Sequence, residues 1–244
     1  MNTLRNRLRA ALSLTVSLTA LVASSSCSGP GVAPEPEWVS LFNGEDYTGW
    51  HVYGGETVGR AWKVTSGAMY LDASSQVNWE TNEGGDIITD GSYGNYELEL
   101  EWKISACGNS GIIYNVYESE EYGAPWRTGA EMQVLDNTCH PDGKIVTHRA
   151  GDLYDLMSVA EENVRPAGEW NRVRIVVSEG HVEHWLNGKK QLEYSNVGEE
   201  WAAMIAGSKF KKFPGWGMHT SGQISLQDHG DPVWYRKIRL RQLN

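Results

Sequence analysis

Glu131 and Gln133 stand two apart in Glu131-Met132-Gln133-Val134-Leu135, where polar and apolar residues alternate. On a strand, residues two apart share a face. A carboxylate beside an amide on one face suits acid–base chemistry on a polar ligand. Glu131 is the candidate general base or metal ligand, and Gln133 the candidate hydrogen-bonding group. Gln227 and His229 share a face in the same way at a second strand end, while Asp228 points opposite. His229, next to Gly230, is either a proton shuttle or a residue that ties a loop. His148, beside Arg149 and shortly after the Glu131 strand, is a further proton-transfer candidate. Asn109, in Gly108-Asn109-Ser110-Gly111, either binds a ligand through its amide or sits in a bulge that the glycines mark. Asp136 and Asn137 either ligate a cation or build a turn. His181 and His184 are three apart, so on a strand they face opposite ways and cannot chelate one ion.

The elements that must position these groups are strands. Tyr96, Leu98, Leu100, Trp102 and Ile104 alternate with Glu97, Glu99, Glu101 and Lys103, giving one buried and one solvated face. Glu179-Gly180 and Asn187-Gly188 separate Arg172–Ser178, His181–Leu186 and Lys189–Tyr194, which read as consecutive hairpins. Trp62–Val64 and Met69–Leu71 flank Ser66-Gly67 likewise, and Ile224–Leu226 and Trp234–Leu240 close the chain. Asp152–Asn163 is the only candidate helix. The expectation is one all-β domain of two packed, mostly antiparallel sheets, a sandwich or jelly roll.

The 244 residues include 27 Gly, 11 Trp and 11 Tyr, a composition of turns and strands. The formal charge of -10 disfavours a nucleic-acid partner and leaves sugars, peptides and metal ions open. The HExxH, CxxC, Walker and dinucleotide-binding glycine patterns do not occur, so no nucleotide cofactor is expected. Arg5, Arg7 and Arg9, then an apolar run from Leu12 to Val22, read as a signal peptide over residues 1–26. Cys27 after small residues resembles a bacterial lipidation site, although Ser24 stands where Leu is usual; the alternative is an ordinary secreted protein. Either way the chain is expected to be exported, with lipidation making it a membrane-anchored lipoprotein. Gly29 to Glu37 reads as an extended Pro-rich tether, and the domain is placed at 38–244. In an oxidising compartment Cys107 and Cys139 either pair, pinning two loops, or stay free. Trp62, Trp102, Trp185 and Trp234 are expected in the core. Of the loop residues Trp126 and Trp216, one is expected to stack on a sugar face.

Several strings occur together: Leu41-Phe42-Asn43-Gly44 with Gly49-Trp50; Gly94-Asn95-Tyr96-Glu97-Leu98; Gly108-Asn109-Ser110-Gly111-Ile112; Glu131-Met132-Gln133-Val134-Leu135-Asp136-Asn137; Pro166-Ala167-Gly168-Glu169-Trp170-Asn171; Trp185-Leu186-Asn187-Gly188; Ser208-Lys209-Phe210; and Leu226-Gln227-Asp228-His229-Gly230. In this order they resemble the 3-keto-disaccharide hydrolase family, also described as 3-keto-glucoside 1,2-lyases and 3-keto-2-hydroxy-glucal hydratases. The resemblance spans about Trp38 to Leu243. It implies a concanavalin-like jelly roll, exported or lipid-anchored members and a sugar substrate oxidised at C3. Gln223 stands where many relatives have His, and Lys237 where many have Asn.

Ordinary glycosidases need two carboxylates about the glycosidic bond, and the chain lacks a Glu-x-Asp-x-Glu strand motif. A C3 ketone relaxes that need, because it acidifies the C2 proton and allows elimination at C1 followed by hydration. Such a site needs a base, an acid and a holder for the enolate oxygen, either a divalent metal or a lysine. The resemblance offers Glu131 as base and Lys209 as holder. Gln133, Asn109 and Gln227 are the substrate-binding candidates and Asp136 the metal-ligand candidate. A separate sugar 3-dehydrogenase is then implied upstream. The alternative function is a non-catalytic, lectin-like carbohydrate-binding module.

Overall fold

The computed structural model describes residues 36–77 and 80–243. The leader, Cys27 and all but the last two residues of the tether lie outside the described residues. Among the described residues the strands are β1 (Val39–Ser40), β2 (Trp50–Val52), β3 (Trp62–Thr65), β4 (Ala68–Leu71), β5 (Gln76–Val77), β6 (Glu80–Thr81), β7 (Ile87–Thr89) and β8 (Tyr96–Ile104). They continue as β9 (Asn109–Val116), β10 (Ala130–Leu135), β11 (Asn171–Ser178), β12 (His181–Leu186), β13 (Lys189–Ser195), β14 (Gln223–Leu226) and β15 (Val233–Gln242).

Two antiparallel sheets form a sandwich, as expected. The larger runs β13-β12-β11-β8-β15-β4-β3, with β1 added to β15; the smaller runs β10-β9-β14-β7-β2. The alternation in β8 sends Tyr96, Leu98, Leu100, Trp102 and Ile104 into the core, where Ile112, Tyr114, Met132, Val134 and Leu226 of the smaller sheet join them. The glutamates of β8 face outward along a ladder of cations. Glu99 accepts from Arg172 at 2.6 Å, Glu101 from Arg236 at 2.7 Å, and Glu97 from Arg241 at 2.7 Å.

Trp62 and Trp102 are buried in the core, but Trp185 and Trp234 are not. They lie on the outer face of the larger sheet, under Arg174 at 4.7 Å and Lys103 at 4.2 Å. A bulge between Arg236 and Arg239 explains Trp234. It shifts the alternation, so Val233 and Tyr235 point inward before it, Ile238 and Leu240 after it. Lys237 sits in this bulge at φ 53°, a left-handed conformation that favours Asn over Lys, and binds Glu101 at 2.9 Å.

Trp185 is displaced outward because its neighbour His184 is fully buried. Burial pulls the His184 imidazole down to about 4, so it is neutral in the core. Its Nδ1–H donates to the Gly151 carbonyl at 3.2 Å. Its Nε2 accepts from the Tyr114 hydroxyl at 2.7 Å, and Tyr114 in turn bonds Tyr194.

The segment expected to be helical, Asp152–Asn163, is a loop. The Asp152 carboxylate collects the backbone N–H groups of Arg149 and Val159, each at 2.7 Å, and the Ser158 hydroxyl at 3.3 Å. Such local bonds compete with a helix. The helix is instead α1, Gly198–Gly207, with Glu199 and Glu200 in its first turn and Trp201 buried. Ten residues are too few to show a period over three turns.

His184→Leu should leave the Gly151 carbonyl unpaired in the core and take one of two partners from the Tyr114 hydroxyl, which keeps Tyr194. The expected cost is about 1–3 kcal/mol in chemical denaturation. An unchanged midpoint would mean that the imidazole anchors nothing.

Candidate functional site

The five-stranded sheet has an outer face as well as a core face. Glu131 pairs with Ile113, Gln133 with Gly111 and Leu135 with Asn109. Ser225 of β14 also pairs with Ile113. Parity therefore puts Glu131, Gln133, Asn109, Gly111 and Gln227 on that outer face. The cavity above it encloses about 280 Å³, with walls from Tyr154, Trp126, Phe213, Lys209 and His229.

Glu131 is 7% exposed, and no side-chain hydrogen bond to it is seen among the described residues. Its carboxylate lies over Gly111, where a Cβ would fall 2.2 Å from Oε1. Only glycine there lets the carboxylate settle onto the sheet. Burial pushes the Glu131 pKa up to about 8; Lys209 draws it down, and Asp86 and Asp142 push it further up.

β10 is the end strand of its sheet, and the loop after it covers the edge. Gly151 N–H donates to Gln133 O at 2.9 Å, Gln133 N–H to Asp152 O at 3.1 Å, and Tyr154 N–H to Glu131 O at 3.0 Å. This pairing fixes Tyr154 beside Glu131. The Lys209 ammonium sits 4.0 Å over the Tyr154 ring. Burial lowers the Lys209 pKa, against the opposing fields of Asp155, Glu131 and Asp142.

Lys209 is carried by a 3-10 turn, Lys209–Lys212, capped by Ser208. Below it Phe210 stacks on Trp216 at 4.1 Å, Trp216 meets Trp201 at 5.4 Å, and Trp201 stacks on Tyr194 at 5.4 Å. An aromatic column thus ties the lysine to β13. Trp216 is consequently 2% exposed, and Trp126 is the half-buried ring of the two loop tryptophans.

His229 lies at the opposite wall, 6.4 Å from the His140 ring. Burial lowers its pKa, against the raising field of Asp231, so it is mostly neutral at pH 7. Asp231 accepts from Asn109 N–H at 3.0 Å. Asp228 is a scaffold: its carboxylate takes N–H groups from Thr81, Gly85 and Gly230 at 2.8–3.0 Å. Three buried polar atoms at the cavity lack a protein partner: Asn109 Oδ1, Gln227 Oε1 and Trp216 Nε1. Buried polar groups are normally bonded, so these three atoms are open to hydrogen bonds from outside the protein.

The structure thus brings Glu131, Gln133, Asn109, Gln227, His229, Lys209, Trp126 and Trp216 to one cavity. It does not bring His148 or Asp136 there. His148 stands behind Tyr154, ring to ring at 4.3 Å, between Asp155 at 3.1 Å and Asp142 at 3.4 Å. Asp136 builds a turn, accepting from Cys107 N–H at 2.9 Å and Thr138 N–H at 3.1 Å. Cys107 and Cys139 are bonded across that turn, with Cα atoms 4.6 Å apart. Gln223 lies outside the cavity lining and holds Glu118. Tyr154 and Asp86 are the cavity groups that sequence reasoning missed, and each sits in a loop with no periodic signal; His140 packs beside His229 outside the lining.

His181, Glu183 and Glu193 could hold a metal ion, with one donor atom each inside 4.8 Å. They lie on the outer face of the larger sheet, and Lys190 already binds Glu183 at 3.3 Å. None of the three lines the cavity. With the Asp136 carboxylate given to backbone amides, no comparable donor set is found among the described cavity residues.

The sequence profile of 3-keto-alpha-glucoside-1,2-lyase-like domains matches residues 37–241. A 3-keto-disaccharide hydrolase of Bacteroides thetaiotaomicron is 34% identical over 228 residues, covering 85% of this chain and 79% of that protein. A solved candidate glycosyl hydrolase of Parabacteroides distasonis superposes with TM-score 0.76 at 33% identity, over 85% of this chain and 94% of the other. A second from that organism gives 0.63 at 25% identity, over 85% and 100%. A Bacillus subtilis protein of unknown function with a galectin-like fold shares the fold at 14% identity, with TM-score 0.55 over 84% of this chain and 94% of that one.

A carboxyl whose folded pKa is raised from 4.5 to about 8 stabilises the fold fully below pH 4.5. That stability is lost as pH rises through 8. Glu131→Gln has no such loss, so its melting temperature should gain on the wild type between pH 5 and 8. A gap that stays constant with pH would contradict the buried, protonatable carboxyl.

Proposed function

The chain belongs to the 3-keto-alpha-glucoside-1,2-lyase-like domain family, and on that premise we propose that it cleaves 3-keto-glycosides by β-elimination and hydration. The observation that carries this is the pairing of Glu131 and Lys209 in one cavity. A buried carboxyl with a pKa near neutrality lies within the field of an ammonium fixed on the Tyr154 ring.

Glu131 takes the proton from C2. The electron pair moves to the C3 oxygen, and the Lys209 ammonium stabilises the enolate. The pair returns to form C1=C2 and expels the aglycone oxygen. His229 hands that oxygen a proton from one ring nitrogen as it takes one from solvent on the other. Water then adds its hydroxyl to C1, its proton leaves through His229, and Glu131 returns its proton to C2. The balance is one water consumed per glycosidic bond. Asn109, Gln133 and Gln227 hold the sugar hydroxyls, and Trp126 stacks on the ring. A substrate that arrives already oxidised at C3 implies a separate sugar 3-dehydrogenase upstream. Residues 1–26 direct export and Cys27 carries a lipid anchor, placing the reaction in the bacterial envelope.

One observation favours a second reading. Asp86 also lines the cavity, so Glu131 and Asp86 offer the two carboxylates of ordinary glycoside hydrolysis. A time course on a 3-keto-glucoside and its unoxidised parent, followed by mass spectrometry, separates the two. Cleavage of the keto sugar alone is expected, with kcat/KM rising through an apparent pKa near 8 as Glu131 ionises. Glu131→Gln should lower turnover by about 10²–10⁴-fold. Cleavage of the parent would favour the two-carboxylate reading. Binding without product from either sugar would leave a lectin-like module.

A further inference from the structure

Acidic residues outnumber basic ones in this chain, 31 to 21. Along the larger sheet nearly every cation is accordingly matched. Arg172 and Arg239 meet Glu99, Arg174 and Arg241 meet Glu97, and Arg236 and Lys237 meet Glu101, all within 4.0 Å. At the cavity mouth this pattern stops. Among the described residues, neither Lys212, which lines the cavity, nor Arg127, which packs on Trp126 just outside the lining, has a carboxylate within 4.0 Å.

Both flank one aromatic ring. The Lys212 ammonium is 5.1 Å from the Phe213 centroid, and the Arg127 guanidinium is 5.8 Å from it. Arg127 also lies 5.1 Å from the Trp126 centroid, and Trp126 meets Phe213 edge to face at 5.2 Å. Trp126, Lys212 and Phe213 all line the cavity. The Arg127 Nε is buried with no acceptor. Aromatic faces hold cations in place without neutralising them. A buried guanidinium N–H without a partner is costly unless a ligand supplies the acceptor.

We propose that this rim is a subsite for an anionic group on the departing half of the substrate, a carboxylate, sulfate or phosphate. The inference rests on the elimination reading and narrows its substrate class. Lys209, seated on Tyr154 by Glu131, serves the enolate. Arg127 and Lys212, on the Trp126–Phe213 pair, serve the aglycone. The guanidinium fork suits the planar, multi-oxygen geometry of such anions. Their attraction adds binding energy outside the reacting centre and leaves the acidity of C2 untouched.

The test compares the 3-keto derivatives of 4-carboxyphenyl and 4-carbamoylphenyl glucosides, in both anomers, with the intact protein. The amide keeps the size of the acid and removes the charge. KM should be about five- to tenfold lower for the carboxylate at low salt, with the advantage shrinking at high salt. Lys212→Gln and Arg127→Gln should each reduce that advantage. Lys63→Gln, which removes a lysine paired with Asp72, should keep it. Sulfonate and phosphate analogues rank the anions. Equal KM values for acid and amide, with both cleaved, would overturn the subsite and leave the elimination chemistry standing. If neither is cleaved, the elimination reading fails, and calorimetric titration of both compounds still decides the rim. Preference for the acid supports it, and equal affinity overturns it.

Discussion

Keeping a carboxylate out of water with no bonded partner costs free energy, and Glu131 is kept that way. Much of the surrounding structure serves that arrangement. Gly111 gives up a side chain so that the carboxylate can lie against the sheet. The loop after β10 pairs with its open edge through Glu131 and Gln133 and brings Tyr154 over the carboxylate. His184, a core residue of the opposite sheet, holds that loop by the Gly151 carbonyl. The aromatic column from Tyr194 through Trp201 and Trp216 to Phe210 delivers Lys209 to the same place. Both tethers run back to adjacent strands, β12 and β13, so the larger sheet acts as a base plate for a site built on the smaller one.

The two outer faces of the sandwich handle charge differently. On the larger sheet, glutamates and arginines alternate across β8, β11 and β15, and each charge is met by its neighbour. Such matched pairs contribute little each and offer no ligand an opening. At the cavity on the smaller sheet several buried polar atoms are left unmet: the amide oxygens of Asn109 and Gln227, and the indole N–H of Trp216. A fold alone does not define an activity. The face with unmet groups is where chemistry can occur.

How much of this was legible in the sequence follows from which signals are local. Strand parity is local, and it correctly grouped Glu131 with Gln133 and separated His181 from His184; Gln227 and His229 lie past the end of β14, where Asp228 lines the same cavity. The hairpin turns at Glu179-Gly180 and Asn187-Gly188 were legible for the same reason. Parity failed at Trp234, where a bulge resets the phase; at Trp185 the alternation holds, and it is the polar His184, not the indole, that takes the inward position. Position 237 shows the same limit: that Lys237 holds a left-handed bulge conformation is seen only once the backbone is known. Tyr154 and Asp86 reach the site through loops, whose paths depend on long-range bonds such as Gly151 to His184. Asp136 was ambiguous between ligand and turn, and its backbone bonds make it a turn.

The central claim is that Glu131 removes the proton from C2. A 3-keto-glucoside carrying deuterium at C2 tests it most directly. The account predicts a primary isotope effect on kcat/KM in the wild type and loss of turnover in Glu131→Gln. Cleavage of the deuterated sugar at an unchanged rate would contradict it.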